Sequence, residues 1–261
     1  MTVTRAHVVS SFSIIKGAMI SETYDVLARW DFGISRRANL DRLRDENYIG
    51  ASSVTWLRDV AKVLNRRLDP GGRDRPLATL AKGGCSMEEW KPILLWHITR
   101  DEFLLRDFLI NWLTVAHEDG VYRVRPDDLY TYLGTLGSRG GETEHQWTGS
   151  TMARVATGLL RIAADFGILT GGPVKEFRSY HLPDRSLLYL LHAVLEFEKG
   201  SPQRMMASAE WRMYLMQPGD LEAQLLRLHQ FQRLDYQVAG TLVQIDFREG
   251  STAAYADAMV G

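Results

Sequence analysis

Trp147-Thr-Gly-Ser-Thr-Met-Ala-Arg-Val-Ala-Thr-Gly-Leu-Leu-Arg-Ile-Ala-Ala-Asp-Phe-Gly-Ile-Leu169, followed by Gly171-Gly-Pro-Val-Lys-Glu-Phe-Arg-Ser-Tyr-His-Leu182, is the stretch that decides the fold. Ser150 is placed to cap a helix, because its hydroxyl can accept from an unpaired amide of the first turn. Met152, Val155, Leu159, Ile162 and Phe166 recur at helical spacing and form one apolar stripe. Arg154 and Arg161 fall on another face, two turns apart, and Gly167 supplies a stop. Lys175 and Arg178 decorate the hairpin-like return. Helix, glycine stop and basic hairpin follow the order of a recognition helix and wing.

Working outward, the bulk properties are those of an ordinary globular chain. Its 261 residues are 45% hydrophobic and 24% charged, with a formal net charge of -1. Near-neutrality excludes a protein coated in basic residues but leaves room for local cationic patches. One cysteine, Cys85, excludes an internal disulfide framework and suits a reducing cytoplasm. The longest apolar run, 103–116, is broken by Arg106, Asp107 and Asn111, which argues against a membrane span. Arg5 followed by a broken apolar run makes a poor signal peptide.

Upstream, Ser21 reads as the cap of a helix carrying Tyr24, Val26, Leu27 and Trp30. A second helix over 35–47 turns Leu40 and Leu43 inward and Arg36, Arg37, Arg42 and Arg44 outward. After the Tyr48-Ile-Gly-Ala51 turn, Ser52 or Ser53 caps a third, with Leu57, Val60 or Ala61, Leu64 and Leu68 as its stripe. Two helices joined through a glycine turn suggest a helix-turn-helix. On the third helix Arg58, Lys62 and Arg66 stand at i, i+4 and i+8, with Arg67 adjacent, and make a basic edge suited to a DNA backbone. Residues 70–76 are a loop by composition, and Asp101 opens a helix so apolar on every face that it belongs at the centre. Pro126 starts a helix, 137–146 is a polar loop, and helices cover 202–216 and 220–236. Val243, Ile245 and Phe247 alternate with polar residues as a strand, and Ser251 caps a closing helical turn.

Catalytic signatures are missing. The chain has no phosphate-cradling loop, no dinucleotide fingerprint and too few cysteines for a cysteine-based zinc site. His117-Glu118-Asp119 and Glu142-Thr-Glu-His145 are poor metal candidates in polar loops, and His97, His192 and His229 read as structural. Cys85 precedes a helix start, where a thiolate would be favoured, but no base can be assigned to it.

In order along the chain, Ser11-Phe12, Gly17, Glu46-Asn47-Tyr48-Ile49, Arg67-Leu68 and the run from Leu94 to Phe108 resemble the BrxA family of bacteriophage-exclusion (BREX) systems. The same holds for Trp147, Ser150-Thr151, Asp165-Phe166-Gly167, Leu242-Val-Gln-Ile-Asp-Phe247 and Tyr255-Ala-Asp-Ala258. That resemblance implies a mostly helical, cytoplasmic, non-enzymatic DNA-binding protein, although the family has long been catalogued as an inner-membrane one. The expected architecture is mostly α, a globular multi-helix fold with two helix-turn-helix or winged-helix-like elements. A minor β component is expected near the wing and the C-terminus. The regions are 1–120 with the helix-turn-helix and 121–261 with the winged-helix-like element. Arg36, Arg37, Arg58, Lys62, Arg66, Arg67, Arg154, Arg161, Lys175 and Arg178 are the expected DNA contacts. Thr55, Thr151 and Thr157 are the candidates for base reading. Catalytic residues, metal and cofactor are expected to be absent, and the partners to be duplex DNA and other defence proteins. The alternatives are a helical adaptor assembling those proteins, or an RNA binder.

Overall fold

The computed structural model describes residues 7–143, 145–240 and 242–261. Arg5 and Glu144, which entered the signal-peptide and metal readings, lie outside them. The chain is mostly helical, with a few small antiparallel strands.

Three N-terminal helices follow one another: α1 (Ser11–Lys16), α2 (Ile20–Ala28) and α3 (Arg36–Glu46). Ser10 caps α1 and Ser35 caps α3, the latter accepting from the Ala38 amide. Ser21 does not cap α2. That helix begins two residues earlier, at Ile20 behind Met19, which sits in the left-handed region without a side-chain cap. Helix α4 (Val54–Arg67) is capped by Ser53 and buries Leu57, Val60, Ala61 and Leu64. Next come α5 (Arg75–Lys82) and α6 (Met87–Thr99), with Ser86 capping α6.

The central helix starts at Phe103 rather than Asp101. It runs through α7 (Phe103–Asp107), a π-helical turn (Phe108–Leu113) and α8 (Thr114–Glu118). Leu104, Leu105, Phe108, Leu109, Ile110 and Leu113 are all buried, as the all-round apolar pattern requires. The Thr114 hydroxyl lies between the carbonyls of Leu109 and Arg212, at 2.9 and 2.7 Å, where the wide turn packs on a 3₁₀ segment (Ala209–Tyr214).

Strand β1 (Arg123–Val124), a 3₁₀ turn at Pro126–Leu129, α9 (Tyr130–Gly134) and α10 (Gly149–Asp165) come next. Strands β2 (Leu169–Thr170) and β3 (Lys175–Phe177) follow α10, and the three strands form an antiparallel sheet in the order β1-β3-β2. Val124 pairs with Lys175, and Leu169 with Phe177. Helix α10 buries Val155, Leu159 and Ile162 as its spacing predicts, with Phe166 buried at its C-cap, whereas Met152 of the same stripe is half-buried. Its cap is Thr148, which accepts from the Thr151 amide, so Ser150 lies within the first turn. Gly167 takes a φ of +83°, which permits the sharp stop.

The last elements are α11 (Asp184–Phe197), α12 (Pro202–Met206), α13 (Pro218–Gln230), β4 (Asp235–Ala239), β5 (Leu242–Asp246) and α14 (Thr252–Val260). The helix expected over 202–216 is broken into α12 and the 3₁₀ segment. The one expected over 220–236 ends at Gln230, because Gln232 turns the chain with a φ of +55°. Tyr236, read as helical, instead pairs with Ile245 across a two-stranded ribbon, and both side chains point inward. Ser251 caps α14 as expected.

One contiguous apolar core extends from Val9 to Met259. Helix α14 packs against α5, and α11 against α6. Helix α1 lies on α10, where Gly158 lets the backbones touch: a Cβ there would stand 2.7 Å from the Ile14 carbonyl. Among the described residues no helix is long and apolar enough to cross a membrane.

Candidate nucleic-acid interface

The α3–α4 unit is shaped by its connection. Asn47, in the left-handed conformation, brackets Ala51 by accepting from its amide (2.8 Å) and donating to its carbonyl (3.0 Å). The connection from Asn47 to Ser53 is longer than the tight turn of a minimal helix-turn-helix. Because Leu57, Val60, Leu64 and Leu68 face the core, the phase of α4 turns Arg58 and Lys62 to solvent. Arg58 makes no side-chain hydrogen bond or ion pair among the described residues. The Lys62 ammonium sits 4.3 Å from the centre of the Phe12 ring, a cation–π contact that leaves the charge exposed.

The rest of the expected basic edge is engaged. Arg66 pairs with Glu102 at 3.3 Å and also donates to the Val8 carbonyl. Arg67 is only 2% exposed. Its guanidinium pairs with Glu102 (3.2 Å) and donates to the carbonyls of Ser13, Gly17 and Ala18 at 2.9, 2.9 and 3.1 Å. Arg67 is therefore a clamp between α4 and the α1–α2 turn, and it leaves the set of residues able to meet a phosphate. Its position at i+9 from Arg58 carried no sign of this, because spacing alone cannot distinguish an edge residue from one turned under the helix.

On α3, Arg36 donates to the carbonyls of Asn65 and Leu68 and ties the two helices together. Arg37 projects into solvent, 93% exposed, with Asp41 at 3.8 Å. Arg44, which also contacts Asp41, joins Arg36, Arg37, Arg58 and Lys62 around a groove of about 540 Å³ between α3 and α4. Leu40 and Ala61 form its floor.

In the second element Arg154 is exposed and without an ion pair among the described residues. Arg161 donates to the Ile15 carbonyl at 2.6 Å and lies across Gly17. Lys175 closes its own hairpin on the Gly171 carbonyl (2.7 Å). Arg178, exposed just beyond β3, has no side-chain partner among the described residues. Thr55 is exposed, whereas Thr157 donates back to Ala153 and the Thr151 hydroxyl meets Thr148.

Helix α1 brings the two elements together. Lys16 pairs with Asp59 of α4 at 2.5 Å, Phe12 lies under Lys62, and the opposite side of α1 accepts Arg161 and Gly158 of α10. A cavity of about 570 Å³ has Phe12, Lys62 and Arg66 on one wall and Trp147, Thr148 and Thr151 on the other. The Lys16 and Phe12 contributions escaped the sequence reading, since a six-residue helix is too short to show a period.

A family model for BrxA matches residues 11–193. The chain belongs to the BrxA family. This membership points to a BREX-type phage-defence protein. No curated protein matches the chain. Leu242–Phe247 and Tyr255–Ala258, which also carried the resemblance, lie beyond the matched stretch.

Elsewhere in this BrxA chain the polar residues that invited a chemical reading are tied into the fold. Burial, with Glu89 alongside, pushes the Cys85 thiol up to about 12, so the expected bias toward thiolate is reversed. His97 bridges Asp74 (2.6 Å) and Tyr189 (2.7 Å) in a fully enclosed chain. Burial works against the Asp74 carboxylate, yet hydrogen bonds from His97 and Arg73 hold it well below the usual range. His192 stacks between Phe247 and Tyr255, and burial lowers its affinity for a proton. Glu118 is held by Arg212 and Gln217, and His117 packs on Phe177. Among the described residues no cluster of His, Cys, Asp and Glu has the geometry to hold a metal.

Proposed function

We propose that this BrxA chain is a non-enzymatic DNA-binding accessory of a BREX-type defence system, working in the cytoplasm and holding duplex DNA through its phosphates. The carrying observation is the α3–α4 groove, where Arg37, Arg58 and Lys62 present charge to solvent above an apolar floor. The second element supports the same reading. Its order of helix, strand, helix, helix, strand, strand, with the sheet ordered β1-β3-β2, is that of a winged-helix module carrying Arg154 on its long helix. Arg178 stands at the foot of its hairpin. Arg36, Arg66, Arg161 and Lys175 would have to exchange an internal carbonyl or carboxylate for a phosphate, so they contribute less than the exposed cations. Base-reading side chains are few, and sequence preference is weak.

Fluorescence anisotropy on a duplex at several salt concentrations tests this. Five exposed cations, Arg37, Arg58, Lys62, Arg154 and Arg178, give a log–log slope of about -4.5 if each meets one phosphate. Salt-independent binding, or none at low salt, refutes the proposal. A second reading, an adaptor for other defence proteins, draws on the exposed Phe231 (65%), Leu242 (62%) and Val238 (48%) of the C-terminal ribbon region. Under it, partners survive nuclease treatment in a pull-down, and reversing the charge of Arg58 leaves DNA retention unchanged.

A further inference from the structure

The cavity between α1, α4 and α10 stands between the two basic elements. Lys62 and Asn65 line both it and the α3–α4 groove, and its far wall is the start of α10. A DNA strand held along the groove and continuing toward α10 meets its mouth. From this arrangement we infer that the cavity receives a single unstacked base of the bound DNA. Such a site presupposes the DNA binding proposed above and adds a base-holding contact to the phosphate contacts.

The volume of about 570 Å³ lies within the ~300–1,000 Å³ of small-molecule sites. It can take one nucleotide unit, whereas paired and stacked bases cannot enter. Charge favours a nucleic acid strand beside it. None of the described residues lining the cavity is an aspartate or a glutamate, unlike the α3–α4 groove, which holds Asp41. Arg66 is committed to Glu102, so Lys62 is the cation that a phosphate at the mouth meets, 4.3 Å from the centre of the Phe12 ring.

The walls select a base over other groups of that size. Trp147 is half-buried, and its ring meets no other aromatic ring and no cation among the described residues. It is an open platform facing the wall made by Phe12 and Lys62. Bases stack on such a ring whatever their identity, because every base has a π-face. That agrees with the scarcity of base-reading side chains. Around the platform the Trp147 indole N–H, the Gln146 amide and the Ser11 hydroxyl have no hydrogen-bond partner among the described residues. They offer donors and acceptors together, as the polar edge of a base requires. An apolar peptide side chain would cover the ring and leave those groups unpaired, which is unfavourable once water is displaced.

Fluorescence anisotropy with the full chain and three DNAs of one sequence tests the site. The first is a paired duplex, the second carries one unpaired adenine, and the third has an abasic unit in place of that adenine. An unpaired base is available without breaking a base pair. Both bulged duplexes are interrupted at the same place, so the difference between them reports the base. We expect the adenine bulge to bind at least about fivefold tighter than the abasic one. Trp147→Leu should abolish that difference and Trp147→Phe should keep part of it, with paired-duplex affinity and its salt dependence unchanged. Equal affinity for the two bulges overturns the inference, and so does a base preference that survives Trp147→Leu. Should Trp147→Leu fail to fold, the wild-type comparison of the two bulges still decides. If the paired duplex binds with its expected salt slope while the two bulges are equal, the base site alone falls. If no DNA binds at low salt, the DNA-binding reading falls and the base site with it.

Discussion

Arg67→Met is the sharpest test of how this fold is held. The substitution keeps the aliphatic stem and removes a guanidinium that is 2% exposed. Three backbone carbonyls, those of Ser13, Gly17 and Ala18, lose a donor. Leaving a buried acceptor unpaired costs about 1–3 kcal/mol each. Glu102, itself 1% exposed, keeps Arg66 at 3.3 Å, so the loss of its second partner falls at or below the low end of the ~3–5 kcal/mol seen on breaking buried pairs. Together these give roughly 5 kcal/mol, a large part of a typical domain's stability. For a chain of this length that is a fall in Tm of about 10–20 °C. The assay is urea and thermal denaturation followed by circular dichroism, with Arg58→Met on the same helix as the exposed control, expected within about 0.5 kcal/mol of wild type. Should Arg67→Met fail to fold, Arg67→Lys retains the charge without the fork and gives a graded loss. An Arg67→Met protein within about 1 kcal/mol of wild type refutes the clamp, and with it the exclusion of Arg67 from the DNA-contacting set.

Other outcomes follow from the same contacts. Gly158→Ala gains about 1 kcal/mol of helix propensity. Its new Cβ meets the Ile14 carbonyl at 2.7 Å, and overpacking of that kind costs about 1–3 kcal/mol, so a net loss is expected in urea melts. Asp74 has a folded pKa depressed below its unfolded value, so its contribution is complete above pH ~4 and declines as pH falls further. Wild-type stability should then drop by up to about 1.4 kcal/mol per pH unit below that point, and Asp74→Asn should flatten the profile while costing stability at pH 7. With its thiol pushed up to about 12, Cys85 should react with a disulfide reagent at pH 8 on the order of 10³ times more slowly in the native protein than in urea. Equal rates would contradict its placement.

The sequence by itself determined the helical architecture wherever a stripe ran for three turns or more. Helices α3 and α4 lie where their apolar periodicity and caps place them, and α10 lies where its stripe does, because local sterics and the burial of one face act within a few residues. The exposure of Arg58 and Lys62 was legible for the same reason, since the phase of α4 follows from its buried leucines. Shorter elements were not legible. α1 has six residues, and β4 is indistinguishable from a helix end until Gln232 turns the chain. Tertiary structure alone decided the fate of individual cations. Arg66, Arg67 and Arg161 carry the same charge and sit on helices like Arg58 and Arg154, yet they meet Glu102 or the carbonyls of residues 8–18, 35 or more positions away. The partner that removes a guanidinium from solvent is set by which helices pack together. That is a property of the assembled core and not of any local spacing.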